Sequence, residues 1–198
     1  MAMDKCTKCR KFGTKLFLKG DRCNTPNCAL TRRNYKPGAH GAKKSNSRKS
    51  EYGLQLVEKQ KAKAEYGLRE KQFSNIFKRA SKSRENTGEE LFRLLEMRLD
   101  NLIYRIGWGV SRSQARQIVL HRKIQINGKI NNIPSTTLKT SDVVTPVSKE
   151  VIKPTKITAP AWVNLDDKKL SCEIKNLPNR DEIDTDIDDQ LIIEFYSR

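Results

Sequence analysis

Four of the five cysteines in this chain of 198 residues lie among the first 28. They are spaced Cys6-x2-Cys9-x13-Cys23-x4-Cys28, which gives two short-spaced pairs separated by a loop. Chains use this arrangement to bring four thiolates onto one tetrahedral zinc ion, and four sulfur ligands leave no open position for catalysis. The spacing therefore predicts one structural Zn²⁺ held by Cys6, Cys9, Cys23 and Cys28. An iron–sulfur cluster, or cysteines that hold no metal, are the alternatives.

A second stretch with chemical capability is Ser111-Arg112-Ser113-Gln114. A serine followed three residues later by glutamine is a capping box, so a helix is predicted to begin here. Its first turn offers free N–H groups and the positive end of the helix dipole, and Arg112 and Arg116 add two cations one turn apart. A helix end of this kind suits a phosphate group.

The residues that follow predict a small α/β module that would hold this helix. Ile118 and Val119 lie on an apolar face suited to packing on a sheet. Residues 123–130 alternate in polarity, and Asn127-Gly128 supplies the two residues with positive φ that a tight hairpin turn requires. A rigid sheet on one face of the helix leaves its charged start available to a polyanion.

The charge of the chain is strongly uneven. It has 40 Lys and Arg against 23 Asp and Glu, a net charge of +17. Residues 1–84 hold 23 of these cations and 6 of the acids, whereas residues 85–198 hold 17 of each. Such a field favours phosphate backbones. No long apolar run or signal-peptide pattern is present, so we expect no membrane attachment and a reducing compartment.

Two helices are predicted between the cysteines and the module. Leu54 and Val57 mark one face of the first, and Phe73, Ile76 and Phe77 repeat at helical spacing in the second. Before them, residues 34–50 contain Pro, Gly and cations with almost nothing apolar, which predicts an extended basic arm.

The last part of the chain predicts strands and a final helix. Residues 161–165 and 170–174 alternate as strands, with Trp162 in the core and Cys172 as a small half-buried residue. Several acidic residues between 181 and 189 precede an apolar helix, whose dipole they complement.

Several motifs along the chain occur together in one known family. They comprise the cysteine spacing, Tyr35-Lys36-Pro37-Gly38-Ala39-His40-Gly41, Glu58-Lys59-Gln60-Lys61, Glu70-Lys71-Gln72-Phe73, Arg98-Leu99-Asp100-Asn101, Gln114-Ala115-Arg116-Gln117 and Ile193-Glu194-Phe195-Tyr196-Ser197. In these motifs the chain resembles, over nearly its full length, the bacterial-type family of ribosomal protein S-four (uS4). Residues 97 to about 144 alone resemble a small RNA-binding module that also occurs in RNA-modifying enzymes and a synthetase.

The patterns and the resemblance together imply an α+β fold. It comprises a zinc-bound N-terminal knot and a helical domain, with an inserted α/β RNA-binding module made of a helix pair plus a small antiparallel sheet. The expected divisions are 1–33 for the zinc-binding knot, 34–50 for the basic extended arm, 51–95 for the helical domain (completed by 176–198), 96–175 for the RNA-binding module with its antiparallel sheet, and 176–198 for the acidic tail and C-terminal helix, which packs back on the helical domain.

The resemblance also implies a function. It is that of a structural constituent of the small ribosomal subunit, a primary rRNA-binding protein that nucleates assembly at a multi-helix junction of the 5′ domain and contributes to mRNA entrance and translational accuracy. The implied neighbours are small-subunit rRNA, the small-subunit proteins numbered three and five, and mRNA. We expect a cytoplasmic or organellar ribosome, no homo-oligomer and no enzyme. An RNA-modifying enzyme fragment and a zinc-dependent nucleic-acid-binding regulator are the alternatives.

The RNA-binding residues are predicted from charge, from position and from the family's motifs. No catalytic residue is predicted, because neither His121 nor any other candidate base has a partner carboxylate or nucleophile nearby in sequence. The predicted RNA-binding residues are Arg10, Lys11, Lys19, Arg22, Arg32, Arg33, Tyr35, Lys36, His40, Lys43, Lys44, Arg48, Lys49, Lys59, Lys61, Arg69, Lys71, Arg105, Ser111, Arg112, Arg116, His121, Arg122 and Lys123.

The sequence departs from the family at two places. Arg122 stands where many members have glycine, which would end the helix in a left-handed conformation. Residues 146–160 contain Pro146, Pro154 and Pro160 where members often have a helical segment, so an extended connection is predicted instead.

Overall fold

The computed structural model describes residues 4–42, 50–83, 86–148, 159–166 and 169–197. Within them the helices are α1 (Lys5–Phe12), α2 (Ala29–Arg32), α3 (Glu51–Glu65), α4 (Glu70–Ala80), α5 (Thr87–Glu96), α6 (Leu99–Arg105), α7 (Arg112–Leu120) and α8 (Asp189–Tyr196). The strands are β1 (Ile124–Ile126), β2 (Lys129–Asn131), β3 (Val143–Pro146), β4 (Val163–Asp166) and β5 (Ser171–Ile174), and short 3₁₀ turns cover Gly20–Asn24 and Arg180–Glu182.

The chain divides into two compact units. The first comprises Met1–Phe73 and Asp186–Arg198, and the second comprises Ser74–Thr185. The division lies inside α4, whereas the sequence predicts a boundary at residue 95. The predicted domain limits stay predictions. The mixed class, helices with a small antiparallel sheet, is confirmed.

The first unit is held together by contact between its two ends. Helix α3 begins where the Ser50 hydroxyl accepts the Gly53 N–H at 3.2 Å. Helix α8 begins where the Asp188 carboxylate accepts the N–H groups of Gln190 and Leu191. These two helices pack on each other, so the C-terminal residues complete a unit that starts at the N-terminus.

The second unit is built on a five-stranded antiparallel sheet with the order β2-β1-β3-β5-β4. Helices α6 and α7 contribute Leu102, Ile103 and Val119 to its core, all fully buried, and the sheet contributes Ile124 and Val144. The predicted apolar face of α7 is confirmed because Ala115, Ile118 and Val119 are all buried there. The helix pair and the sheet therefore form one packed body.

Two residues from the predicted C-terminal strands behave differently. Trp162 is buried as predicted, next to β4. The prediction for Cys172 was wrong: it is completely rather than half buried, because β5 lies inside the sheet and pairs with both β3 and β4. Burial raises the pKa of its thiol to about 12. Most of the predicted extended connection at 146–160 lies outside the described residues, and Pro146 ends β3.

The connection between α6 and α7 lies against the start of α7. A Cβ atom at Gly109 would be 2.9 Å from the backbone nitrogen of Ala115, so a side chain at this position would push the connection away. None of the helices in the described ranges is both long and apolar enough to cross a bilayer.

Helix α7 ends in a Schellman motif, a pair of hydrogen bonds closed by a left-handed residue. Lys123 donates its N–H to the carbonyl of Ile118 at 3.3 Å, and Arg122 donates its own to Val119 at 2.9 Å. The left-handed residue is Arg122, with φ +58°. The turn usual for glycine is therefore present here with arginine, at a cost of about 1–2 kcal/mol in a non-glycine residue.

We expect Arg122→Gly to stabilise the second unit. Relief of left-handed strain outweighs the greater freedom of glycine in the unfolded chain, so the free energy of unfolding should rise by about 0.5–1 kcal/mol. Denaturant unfolding followed by tryptophan fluorescence measures this, because Trp108 and Trp162 both lie in the second unit. A loss of stability would contradict the account, and Arg122→Ala, which keeps the strain, is the matched control.

Candidate nucleic-acid interface

The start of α7 is tied to α6 through a buried carboxylate, that of Asp100. Arg98 donates from Nε and Nη2 to the two oxygens of Asp100 at 3.0 and 2.7 Å, and both residues are buried. Arg116 donates from Nη1 to the same carboxylate at 3.2 Å, and its side chain stays 40% exposed. Asp100 thus holds one arginine inside the unit and orients a second at the surface.

A second carboxylate, that of Glu96, organises the neighbouring arginines. Glu96 is 1% exposed and accepts from Nε and Nη2 of Arg105 at 2.9 and 2.8 Å. It also accepts from Nδ2 of Asn101 at 2.7 Å. Asn101 in turn accepts from Nε of Arg112 at 2.9 Å, and the Arg112 guanidinium lies 4.6 Å from the centre of the Tyr104 ring. This chain of contacts places Arg105 and Arg112 in fixed positions.

The predicted cap of α7 is only partly observed. The Ser111 hydroxyl accepts the backbone N–H of Gln114 at 3.4 Å, as expected for a cap. Gln114 Oε1, however, accepts the N–H of Val110 at 2.8 Å rather than that of Ser111. The glutamine therefore fastens the preceding loop, and the helix start keeps its predicted position.

The sequence indicates Arg98-Leu99-Asp100-Asn101 only as a motif of the family, and no sequence pattern indicates Glu96. That Glu96, Asp100 and Asn101 accept hydrogen bonds from arginines is not predicted from the sequence. A usable signal existed, because Asp100 and Asn101 are two polar residues within a short helix that is otherwise mostly apolar. Such residues need partners when buried.

The opposite end of α7 carries a second group of predicted RNA-binding residues. His121, Arg122 and Lys123 are all exposed there. Helix α7 has nine residues, so its two ends are separated by about 13 Å. The second unit therefore presents cations at both ends of one helix.

Two predicted RNA-binding lysines are not at the surface. Lys59 is 5% and Lys61 6% exposed. Lys59 Nζ donates to Glu70 at 2.7 Å and lies 4.1 Å from the centre of the Phe195 ring. Lys61 Nζ pairs with Glu58 at 3.5 Å and donates to the carbonyl of Asp186. The sequence-based assignment of both to an RNA surface was wrong, because α8 and the residues before it cover this face of α3.

Arg69 directly precedes α4 and Lys71 lies in its first turn, on either side of Glu70, and both are exposed. Glu70 also accepts from Lys63 at 2.8 Å and from the hydroxyl of Tyr196 at 3.2 Å. Burial opposes its ionisation, but Lys59 and Lys63 together lower the pKa of Glu70 to about 2. Burial and then the charge of Glu70 raise the pKa of Tyr196. Glu70 therefore neutralises Lys59 and Lys63. Its neighbours Arg69 and Lys71 stay exposed to an external ligand.

The four N-terminal cysteines line one cavity of about 20 Å³. Cys9, Cys23 and Cys28 are buried, Cys6 is partly exposed, and all four are free thiols. Burial raises the pKa of Cys9, and the nearby Cys23, Cys6 and Cys28 raise it further. Within the described residues, no group of three or more His, Cys, Asp or Glu side chains has the geometry to hold a metal ion. The donor set, four thiols lining one cavity, suits zinc in its chemistry.

Among the remaining predicted residues of the first unit, Lys19 and Arg22 line this cysteine cavity. Lys19 is half-buried and forms an ion pair with Asp4 at 3.2 Å. Arg10 is partly buried, and Lys43, Lys44, Arg48 and Lys49 lie outside the described residues. The exposed members are Lys11, Arg22, Arg32, Arg33, Tyr35, Lys36 and His40.

Two family models match the chain, and together they cover residues 2–144. That of the ribosomal protein S4/S9 N-terminal domain matches residues 2–96, and that of the S4 domain matches residues 97–144. Curated relatives match nearly the whole length. Small ribosomal subunit protein uS4 of Dictyoglomus turgidum is 50% identical over 200 residues, and that of Dictyoglomus thermophilum is 48% identical over 200 residues. The protein of that name in Heliobacterium modesticaldum is 48% identical over 202 residues, and all three alignments cover 98% of this chain and 96% of the relative.

We expect Asp100→Ala to destabilise the second unit by about 3–5 kcal/mol, because it leaves the buried guanidinium of Arg98 without its carboxylate. Arg116→Ala should cost less than about 1 kcal/mol, since the Arg116 side chain is partly solvated and Asp100 keeps its pair with Arg98. Denaturant unfolding monitored by tryptophan fluorescence compares the two variants. Equal losses would show that Asp100 is not the organising group.

We also expect the stability of the first unit to depend on pH through Glu70. Its pKa in the folded protein lies below the ordinary 4.5, so its ion pairs stabilise fully above pH 4.5 and are lost as the pH falls toward about 2. Glu70→Gln should therefore lower the free energy of unfolding at pH 7. We expect about 1 kcal/mol or less, because half of the Glu70 side chain is exposed.

Unfolding in urea followed by circular dichroism tests this pH dependence. The difference between wild type and Glu70→Gln should shrink as the pH falls from 4.5 to about 2. Glu173→Gln, which removes an exposed carboxylate from β5 of the second unit, is the control. A constant difference across this range would contradict the assignment to Glu70.

Proposed function

Because this chain belongs to the uS4 family of ribosomal proteins, we propose that it is a structural constituent of the small ribosomal subunit that binds small-subunit rRNA. The observation that carries this proposal is an identity of 48–50%, over 98% of this chain, to proteins named small ribosomal subunit protein uS4. The family is structural, so the chain is not an enzyme. The same matches argue against an RNA-modifying enzyme fragment and against a zinc-dependent nucleic-acid-binding regulator.

The proposed mechanism is electrostatic and depends on positions that the protein fixes in advance. Exposed cations occur on both compact units, and each phosphate they neutralise releases bound counterions. In the second unit, internal carboxylates orient Arg116 and, through Asn101, Arg112. An arginine already held in place loses less conformational entropy when it binds a phosphate. This supports a rigid arrangement of RNA contacts, with A-form geometry and backbone rather than bases as the ligand.

The residues we propose for this interface are those that the structure leaves at or near the surface. In the first unit they are Lys11, Arg22, Arg32, Arg33, Tyr35, Lys36, His40, Arg69 and Lys71. In the second unit they are Arg116, His121, Arg122 and Lys123, with Arg112 and Ser111 at the start of α7. Lys59 and Lys61 are excluded because they are buried.

The finer role rests on the family resemblance. We propose that the chain binds early to a multi-helix junction of the 5′ domain of the rRNA and lies near the mRNA entrance beside the small-subunit proteins numbered three and five. Cytoplasmic ribosomes are the proposed location. An influence on translational accuracy follows from that position.

A structural zinc ion is part of the proposal. Its support is the donor set, four free thiols around one cavity with the spacing of two short pairs. Zinc would supply cross-links to a knot in which Leu16 and Leu30 are among the few buried aliphatic side chains. Cys6, Cys9, Cys23 and Cys28 would hold it, and the short helices α1 and α2 would be fixed together by these bonds.

The test of function has two parts. In a cell lysate the chain should sediment with small ribosomal subunits, and a chain that remains free would contradict the proposal. With the purified chain and its own 5′-domain rRNA, Arg69→Gln with Lys71→Gln should weaken binding. It should also reduce the slope of log affinity against log salt by about 1.4–1.8, the value for two lost phosphate contacts.

A matched control is available in the second half of the chain. Lys169→Gln with Lys175→Gln removes two exposed cations that are not proposed to contact RNA. This variant should leave affinity and salt slope unchanged. Equal effects of the two double variants would show that total charge, rather than position, governs binding.

The zinc proposal is tested by metal analysis of the purified chain. We expect one zinc ion per chain, its loss in Cys23→Ser with Cys28→Ser, and its retention in Cys172→Ser. A wild-type chain prepared with zinc present that holds no metal and folds normally would refute the proposal.

A further inference from the structure

Four arginines and an asparagine converge on one cleft beside the cysteine cavity. The cleft has a volume of about 190 Å³ and is lined by Arg10, Arg22, Asn27, Ala29, Arg32 and Arg33. These residues come from α1, the 3₁₀ turn, the loop that follows it and α2, with Arg33 directly after α2. Since one water molecule occupies about 30 Å³ of liquid, the cleft has room for a ligand of several heavy atoms.

No carboxylate among the described residues neutralises the guanidinium charges at this cleft. Within the described part of the chain, the side chains of Arg22, Arg32 and Arg33 have no ion-pair or hydrogen-bond partner. Arg105 and Arg116 of the second unit provide a contrast, because Glu96 and Asp100 respectively compensate them. Like charges held close together repel each other, so an anion in the cleft would relieve this cost.

One wall of the cleft is fixed in advance. Arg10 donates from Nε to the carbonyl of Tyr35 at 3.1 Å and from Nη2 to the carbonyl of Lys36 at 3.3 Å. Its guanidinium also lies 4.8 Å from the centre of the Tyr35 ring. These contacts position the charge without neutralising it. The Asn27 amide adds a donor that carries no charge.

We propose that this cleft binds two closely spaced phosphates, which in the ribosome would belong to a sharp turn of the RNA backbone or to two backbone segments that approach each other. The phosphate source rests on the proposed function. A single phosphodiester places one negative charge against four guanidinium groups, whereas two neighbouring phosphodiesters double the negative charge in the cleft. Two adjacent phosphates repel each other and need such a concentration of positive charge, and guanidinium groups bind them through paired hydrogen bonds.

The direct test titrates the full chain with inorganic pyrophosphate and with inorganic phosphate by calorimetry. We expect pyrophosphate to bind at least tenfold more tightly, and Arg32→Gln with Arg33→Gln to weaken it at least tenfold. Lys169→Gln with Lys175→Gln should bind like wild type. Equal affinity for the two anions, or equal losses in both double variants, would overturn the proposal. So would equally tight binding of a hexa-aspartate peptide, which would indicate an acidic protein as the ligand.

A second variant guards against misfolding of the knot. Arg32→Lys with Arg33→Lys keeps both charges but loses the planar paired donors, so pyrophosphate affinity should fall to an intermediate value. Wild-type affinity in this variant would show that charge alone is sufficient and would contradict a guanidinium site. Circular dichroism and metal content of each variant establish that the fold is retained.

Binding to the 5′-domain rRNA separates this proposal from the proposed function. Arg32→Gln with Arg33→Gln should reduce the salt slope by about 1.4–1.8. One outcome is that the wild-type chain and this variant bind rRNA with the same slope of log affinity against log salt, and that the wild-type chain does not bind pyrophosphate. The cleft proposal then fails and the proposed function stands. If the wild-type chain binds pyrophosphate but not rRNA, the cleft stands as an anion site and the function fails.

Discussion

A carboxylate removed from water needs positive partners, and Asp100 and Glu96 find theirs among the arginines around the start of α7. Asp100 binds Arg98 and Arg116, while Glu96 binds Arg105 and, through Asn101, orders Arg112. These contacts join α6 to α7 and at the same time orient cations toward the surface. The polar groups inside the module thus hold its helices together and limit the directions in which its charges point.

In the first unit the buried charges are positive, and negative or polar groups compensate them. Lys59 and Lys61 are buried cations, and Glu70, Glu58 and a main-chain carbonyl compensate them. Two of their contacts are made with α8 and the residue Asp186 that precedes it, so these lysines fasten the C-terminal end of the chain to α3. The two lysines of the Glu58-Lys59-Gln60-Lys61 motif on α3 are here part of the core.

The net charge of +17 therefore overstates the number of cations that RNA can reach. Some are neutralised internally, as Lys59 is, and others, such as Arg32 and Arg33, have no compensating group in the described residues. The physical distinction is between cations that stabilise the fold and cations whose repulsion a polyanion would relieve. In the basic cleft beside the cysteines, Arg22, Arg32 and Arg33 belong to the second class, because no described carboxylate pairs with them.

The sequence by itself determined what depends on neighbours within a few residues. Helices α3, α4 and α7 follow from apolar spacing and from capping side chains, the hairpin follows from Asn127-Gly128, and the α+β class follows from the order of these patterns. The family could also be identified from the sequence, because its short motifs are present there residue by residue. Local rules extend even to Arg122, where the helix end keeps its left-handed residue without glycine.

Only the tertiary structure decided which polar side chains remain at the surface. Lys61 meets Asp186 across 125 positions of sequence, Gln55 meets Glu194 across 139, and Arg116 meets Asp100 across 16. The convergence of Arg10, Arg22, Arg32 and Arg33 on one cleft likewise requires three elements to pack, namely α1, the first 3₁₀ turn and α2. Burial and ion pairing depend on which segments come together in space. The residue type alone does not say whether the partner of a charged side chain is a carboxylate, an aromatic ring or water.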